Sequence, residues 1–330
     1  MRRLIAFVGV LAVLYGGYWF AGSSAVEKGA AQALTQMQAD GWDVSYSDLS
    51  TKGFPSRFDT TVTDLALTDP TGTYSWAAPF LQVFALSYQP NKVIVIAPPT
   101  QSLTTPAGKV DWDATGLRAS ASVGVSSEMP LTSVIVESGA GSIIAENGGA
   151  LAYGKLILGL KPTDTPLTYA AFADLEQITL PEKLMTAIDT NRALPPQMDL
   201  IRLNGTVALT RALDRGLATG AAPQPTAISV SDARLVWGAM VLSAAGDLTV
   251  DAFGVPTGRI TLTAQHWQDM IAHATSAGLI TAEVAKTWTN MGNMLAAGQP
   301  DLKMPIDFAN GQMMFGPFPL GPAPRLIYRQ

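Results

Sequence analysis

The chain of 330 residues contains no cysteine. Disulfides, thiolate catalysis and cysteine-based zinc or iron–sulfur sites are thereby excluded. Charge is also sparse. Asp, Glu, Lys and Arg together make up 14 % of the residues, against about 25 % in soluble domains. Two sources fit that scarcity: a surface on which Thr, Ser and Ala replace charged residues, or a large apolar surface that faces lipid or a partner. No basic block follows Arg2 and Arg3, and the net charge is −5, so nucleic-acid binding is not expected.

Recognisable chemistry is lacking as well. The only histidines are His266 and His273, with Asp269 between them. On a helix the three would share one face, but a metal site takes three or four ligands and this spacing is not a zincin pattern. The turn-like Gly139-Ala140-Gly141-Ser142 lacks the spacing of a dinucleotide loop and the lysine of a P-loop. There is no Gly-x-Ser-x-Gly elbow and no Ser-x-x-Lys. Asp111 and Asp113 flank Trp112 on an expected strand, which puts both carboxylates on one face. Paired carboxylates serve glycoside hydrolases, so a glycan hydrolase is the one enzymatic alternative. No enzyme, metal or cofactor is otherwise expected.

What is present begins at the N-terminus. Residues 4–22 form a run of nineteen residues without a charge, directly behind Arg2 and Arg3. As a helix it would span roughly 28 Å, close to the thickness of a bilayer's hydrocarbon core. Ser23-Ser24-Ala25 offers the small residues of a signal-peptidase site. The run is nevertheless longer than an ordinary signal core, and Tyr15, Tyr18 and Trp19 resemble an interfacial belt. An uncleaved inner-membrane anchor over residues 1–24 is therefore expected. The positive-inside bias puts its N-terminus in the cytoplasm and the C-terminal domain in the periplasm. Residues 25–41 read as a helical stalk. Ser24 and Glu27 would form its capping box, and Val26, Ala30, Ala33, Leu34 and Met37 would pack on the following sheet.

Residues 42–330 read as one β-rich domain, with a subdivision near Pro195-Pro196. WDVSYSDLS, RFDTTVTDLALTD and PFLQVFALSYQ are rich in β-branched and aromatic residues and are punctuated by Gly53-Phe54-Pro55 and Asp69-Pro70-Thr71-Gly72. KVIVIA at 92–97 is apolar on both faces, as in a strand that is covered twice or lines a groove. Short strands continue to residue 152, and 200–263 has the spacing of an antiparallel meander. Residues 264–297 read as two helices, with Gly278 and Gly298 as stops and Thr281 as a cap. A hairpin turning at Asn310-Gly311 and an extended Pro/Gly edge segment close the chain. The expected fold is thus mainly β (β-rich α+β): a large curved antiparallel sheet with an N-terminal anchor helix and a late helical pair.

Several phrases carry a resemblance. They are the basic-apolar start, GFPSRFD at 53–59, WAAPFLQVFALSYQPN at 76–91, AAGDLTVDAFGVPTGRITL at 244–262 and the ending PIDFANGQMMFGPFPLGPAPRL. Together they resemble an alphaproteobacterial, membrane-anchored envelope family of unknown function, which lends no catalytic residues. The anchor, the GFP-type hairpins and the meander are also similar to AsmA-like envelope proteins. That similarity implies a β-rich groove and a part in phospholipid movement or envelope homeostasis, though 330 residues are too few to bridge a periplasm. The expected function is a non-enzymatic, membrane-anchored binding module for lipid or another hydrophobic ligand. The alternative is a structural scaffold for envelope protein partners. The candidate apolar groove comprises Phe80, Phe84, Val93, Val95 and Trp237; aromatic residues are spread along the β segments and late helices and Met residues cluster late, which an ordinary core explains more simply than a flexible lining for acyl chains.

Overall fold

A computed structural model describes residues 1–190, 192, 194–218 and 222–326. The protein is mainly β, with antiparallel strands throughout the described pairs, one long N-terminal helix and a late helical pair. The chain divides into two compact units: Met1–Val125 with Val136–Gly148, and Ser126–Ile135 with Gly149–Gln330.

The first unit opens on α1 (Arg2–Ala39). Anchor and stalk are one uninterrupted helix of 38 residues, about 57 Å long. Nothing breaks it at Gly22, and the expected capping box at Ser24 does not form, because the helix is already running there. Glu27 instead accepts a hydrogen bond from the Thr51 N–H at 2.8 Å. The strands that follow are β1 (Asp43–Ser45), β2 (Asp48–Lys52), β3 (Arg57–Thr68), β4 (Ser75–Leu86), β5 (Gln89–Ile96), β6 (Thr100–Thr105), β7 (Gly108–Ala114), β8 (Arg118–Val123), β9 (Leu131–Ser138), whose residues 131–135 belong to the second unit, and β10 (Gly141–Ala145). β1 and β2 share one edge of β3, and β4 takes the other. Beyond β4 the sheet forks into β5–β8 and β6–β7–β10.

Helix α1 lies along β3. Its sheet-side residues are Trp19, Ser23, Glu27, Ala30, Leu34 and Met37, a spacing of three and four. Of the expected stripe, Val26 and Ala33 fall outside this face and are exposed. Leu34 and Met37 pack on Val44, Val62 and Leu65. Val62 and Leu65 both point inward although they are three apart, which a regular pleat forbids. Asp64 between them adopts φ 51°, and this left-handed residue inverts the alternation. Ser47 fastens it by donating to its carboxylate at 2.7 Å.

The second unit contains β11 (Ala150–Tyr153), β12 (Lys155–Pro162), β13 (Thr168–Ile178), α2 (Glu182–Ile188), β14 (Met198–Leu209), β15 (Pro225–Trp237), β16 (Met240–Val250), β17 (Pro256–Gln265), α3 (Trp267–Ser276), α4 (Ala282–Ala296), β18 (Leu302–Ala309), β19 (Gln312–Phe315) and β20 (Phe318–Pro322). From β12 to β20 each strand pairs with the next, apart from the helical excursions. Pro195 lies inside this unit, where its carbonyl accepts from the Trp237 indole at 2.8 Å. The β18–β19 hairpin turns at Asn310 and Gly311, both left-handed as such a turn needs. The segment after it is a further strand, β20, paired with β19 at the edge of the sheet.

Gly246 and Gly258 sit where a Cβ would come within 2.1–2.2 Å of the neighbouring strand's carbonyls, and their φ values of 149° and 144° suit glycine alone. With the bulges at Asn204/Gly205 and Val230/Ala233, they crease the meander. Thr281 caps α4 through the Val284 N–H, as its position predicts.

The packing of the two late helices rests on Trp267, which is 2 % exposed. A Cβ on Gly292 would lie 2.4 Å from its ring. Alanine normally gains about 1 kcal/mol over glycine inside a helix. Gly292→Ala should instead destabilise by about 1–3 kcal/mol, since the buried indole has nowhere to move. Gly29→Ala in α1, with nothing within 4 Å, should be neutral or stabilising. Thermal melts of both variants in detergent check the pair; a Gly292→Ala protein that melts above wild type would refute the packing.

Candidate functional site

Register turns the strands of the second unit into ladders that run across the sheet. One connects Leu158, Ala173, Leu203, Ala233, Ala244, Leu262 and Met304. The next on that face connects Leu156, Leu175, Ile201, Leu235, Leu242, Ala264 and Leu302. Between them, on the opposite face, runs Ile157, Asp174, Arg202, Arg234, Ser243, Thr263 and Lys303. The pleat sends alternate residues to opposite faces. Along these rungs one face is therefore aliphatic, and the other carries the charged residues, with Ile157 and, one rung on, Leu200, Val236 and Val241 among them.

The polar face is stitched by ion pairs. Arg202 donates two parallel hydrogen bonds to Asp174 at 2.9 and 2.8 Å. Lys155 meets Glu176 at 3.1 Å, and Arg234 meets Asp232 at 3.2 Å. The hydrogen bonds from Arg202, helped by its charge and that of Lys155, hold the Asp174 carboxyl below its ordinary value against a smaller opposing effect of burial. Water on this face requires no further cover.

Among the described residues the aliphatic face is covered at two places. Around α2, Met185 and Ile188 pack with Ile178, Met198 and Trp237, reaching Leu175 and Leu235. Around α3 and α4, Trp267 and Ala296 pack with Ala264, Leu302 and Met304. The middle of the ladders stays bare: Leu158, Ile201 and Leu242 are exposed, and Leu203 is exposed at 46 %. Six inter-strand spacings separate β12 from β18, about 29 Å at ~4.8 Å each. Helix α4 adds a second unsatisfied surface. It buries Gly292 and Ala296 and exposes Val284, Trp288, Met291 and Leu295, which fall on one helical stripe. Contiguous apolar surface of this kind marks an interaction site.

The five residues expected to line a groove do not share a surface. Phe80 and Phe84 stand on one face of β4, with Ile94 of β5 opposite Phe84. Val93 and Val95 alternate to the other face. Trp237 belongs to the second unit, buried in the α2 core. A smaller trough of about 580 Å³ does include Phe84, Val93 and Ile94 in its walls. The Arg57 guanidinium lies 5.9 Å from the Phe84 ring there, and Lys92 is a second cation.

Asp111 and Asp113 do share a face of β7, opposite Ser102 and Thr100. They line an open cleft of about 640 Å³ with Asp64. Asp111 is exposed and pairs with Lys109 at 3.3 Å. His266 is not on a helical face with His273. It precedes α3 in a left-handed conformation, 3.9 Å from Asp269. Among the described residues no group of three or more His, Asp or Glu could hold a metal ion.

A family model described as an uncharacterised protein conserved in bacteria (DUF2125) matches residues 19–324. The chain belongs to this family. Its coverage takes in both units and the upper half of α1, and it assigns no activity. No curated protein and no solved structure matches the DUF2125 chain.

The ladders went unseen in the sequence because each strand reveals only its own alternation. The signal lay in the charged residues between the leucines, Asp174, Arg202 and Arg234, which occupy neighbouring strands at matching register. Asp174→Asn should lower the Tm by about 1–3 °C at neutral pH. The folded-state carboxyl titrates below 3.8, so this stabilisation is complete above that value and is lost as pH falls through the lowered one. Wild-type and variant melting curves should converge in acid; a gap that persists unchanged at pH 2 would refute the pairing.

Proposed function

We propose that this DUF2125 protein is a single-pass membrane protein that holds the acyl part of a lipid on the bare aliphatic face of its second unit. The observation that carries the reading is the pair of leucine-rich ladders left exposed between α2 and the α3–α4 pair. A sheet face of this composition needs a second layer or an apolar ligand. Its bare part, from Leu158 on β12 to Leu242 on β16, is four strand spacings or about 19 Å wide, more than the ~15 Å depth of one bilayer leaflet, so a single acyl chain can lie along it. Each methylene removed from water contributes about 0.8 kcal/mol before ordering costs. No chemical step is involved: the protein binds, and the ladders supply a smooth surface rather than a fixed polar contact.

The anchor reading is supported by α1, whose apolar window is 6 % buried and long enough to cross a membrane. Arg2 and Arg3 favour a cytoplasmic N-terminus, which puts the β units on the periplasmic side of an inner membrane. The stripe on α4 favours a second reading, in which Val284, Trp288, Met291 and Leu295 dock an envelope protein partner.

Native mass spectrometry of the full chain released from detergent tests the first reading. Wild type should retain a phospholipid that the Leu203→Glu/Leu242→Glu variant, with unchanged circular dichroism, loses. Both proteins keep α1, so lipid held by the anchor cancels. Equal retention sinks the proposal. A photo-cross-linker at Trp288 that captures one protein and no lipid favours the second reading.

A further inference from the structure

The first unit grips its helix unusually low. Tyr15 shares a hydrogen bond with the Ser87 hydroxyl at 3.2 Å, and Tyr18 donates to the Ser87 carbonyl at 2.6 Å. The Trp19 indole donates to the Arg57 carbonyl at 2.8 Å, and its ring meets Phe54 and Phe58 edge-on and tilted. Phe20 stacks on Phe54. Gly22 lies so close that a Cβ there would be 2.7 Å from the Phe58 ring. Two turns, residues 53–56 and 87–88, thus clasp α1 over residues 15–22, inside its apolar run.

Length then sets depth. Below the clasp only residues 4–14 are free apolar helix, eleven residues or about 16 Å. The hydrocarbon core is about 30 Å thick. A span made of the free part alone falls short by roughly half. The helix crosses only if residues 15–22 also lie within the membrane, and the turns bonded to them then lie at that depth. The composition of the turns agrees. Phe20, Phe54 and Tyr88 are exposed at 64, 56 and 65 %, and aromatic rings favour the membrane interface. Residues 53–57 and 86–92 contain no acid, and carry Arg57 and Lys92, cations suited to anionic headgroups.

We infer that the tip of the first unit, Phe54 and Tyr88 with Phe20 of α1, is embedded in the leaflet through which its own helix leaves the bilayer, Phe54 nearer the interfacial layer and Tyr88 deeper. The inference rests on the reading of α1 as a membrane span and is independent of the acyl-binding face. The protein is then held at the membrane by two elements, a helix and a pair of β-turns.

The cysteine-free chain makes the test direct. Single cysteines at Leu11, Phe54, Tyr88 and Tyr74 are labelled with an environment-sensitive fluorophore in the full-length protein. It is reconstituted into vesicles of zwitterionic and anionic phospholipid at three to one, with lipids carrying a quencher at shallow or deep positions. Tyr74 is exposed beside the far end of β3, eleven residues or about 36 Å along the strand from Arg57. The expected result is deep quenching at Leu11, shallow quenching at Phe54, quenching at Tyr88 by the deeper probe as well, and none at Tyr74. Quenching at Leu11 with Phe54 and Tyr88 no different from Tyr74 overturns the inference while leaving the span intact. No quenching at Leu11 removes the span and the inference together. Phe54→Asp, expected to halve or more the shallow quenching at Tyr88, checks that the turns enter as one body; an unaltered signal counts against the embedded tip.

Discussion

The second unit depends on one constraint: the antiparallel register must keep the parity of every strand from β12 to β18 in step. A shift of one residue in β13, β14 or β15 would exchange apolar side chains with charges. Arg202 would then face the aliphatic side without Asp174, and Leu203 would interrupt the ion-paired face. The bidentate Arg202–Asp174 bond and its neighbours are weak as sources of stability. Their larger effect is on specificity, since they penalise each wrong register. The bulges at Asn204/Gly205 and Val230/Ala233 come just past the paired stretch, where the strands leave the common parity and bend.

The first unit solves the same problem with a different device. Its β3 changes parity once, at Asp64, and so keeps buried side chains on the side of α1 from Phe58 to Leu65. A regular pleat alone would have placed Leu65 on the outer face. The inverted alternation lets one straight helix find apolar partners at both ends, Phe58 near Trp19 and Leu65 near Leu34.

Much of this was legible beforehand. The long apolar run, the meander over 200–263, the helices ended by Gly278 and Gly298, and the Asn310-Gly311 hairpin all rest on local chemistry, and local chemistry is what a single sequence displays. The misplacements share a cause. Phe84 and Val93 do line one trough although they stand on opposite faces of their strands, whereas Phe80, Val95 and Trp237 are not part of it. Trp237 looked like a lining residue, but its indole is committed to the Pro195 carbonyl. The capping box at Ser24 was a correct local pattern overridden by a helix already under way. The bare ladders were hidden most completely, because they run perpendicular to the chain and exist only once seven strands have been put in register.

The unbroken α1 has a mechanical consequence. A hinge between anchor and domain would let the first unit keep its attitude whatever the membrane did. Here the apolar run proposed to cross the membrane and the stretch bonded along β3 are one rod, so inclination would pass from one to the other. Transmembrane helices answer changes in bilayer thickness by tilting. In this protein a thicker or thinner membrane would therefore be converted into an angle of the first unit's sheet, magnified by about 36 Å of helix beyond Tyr15.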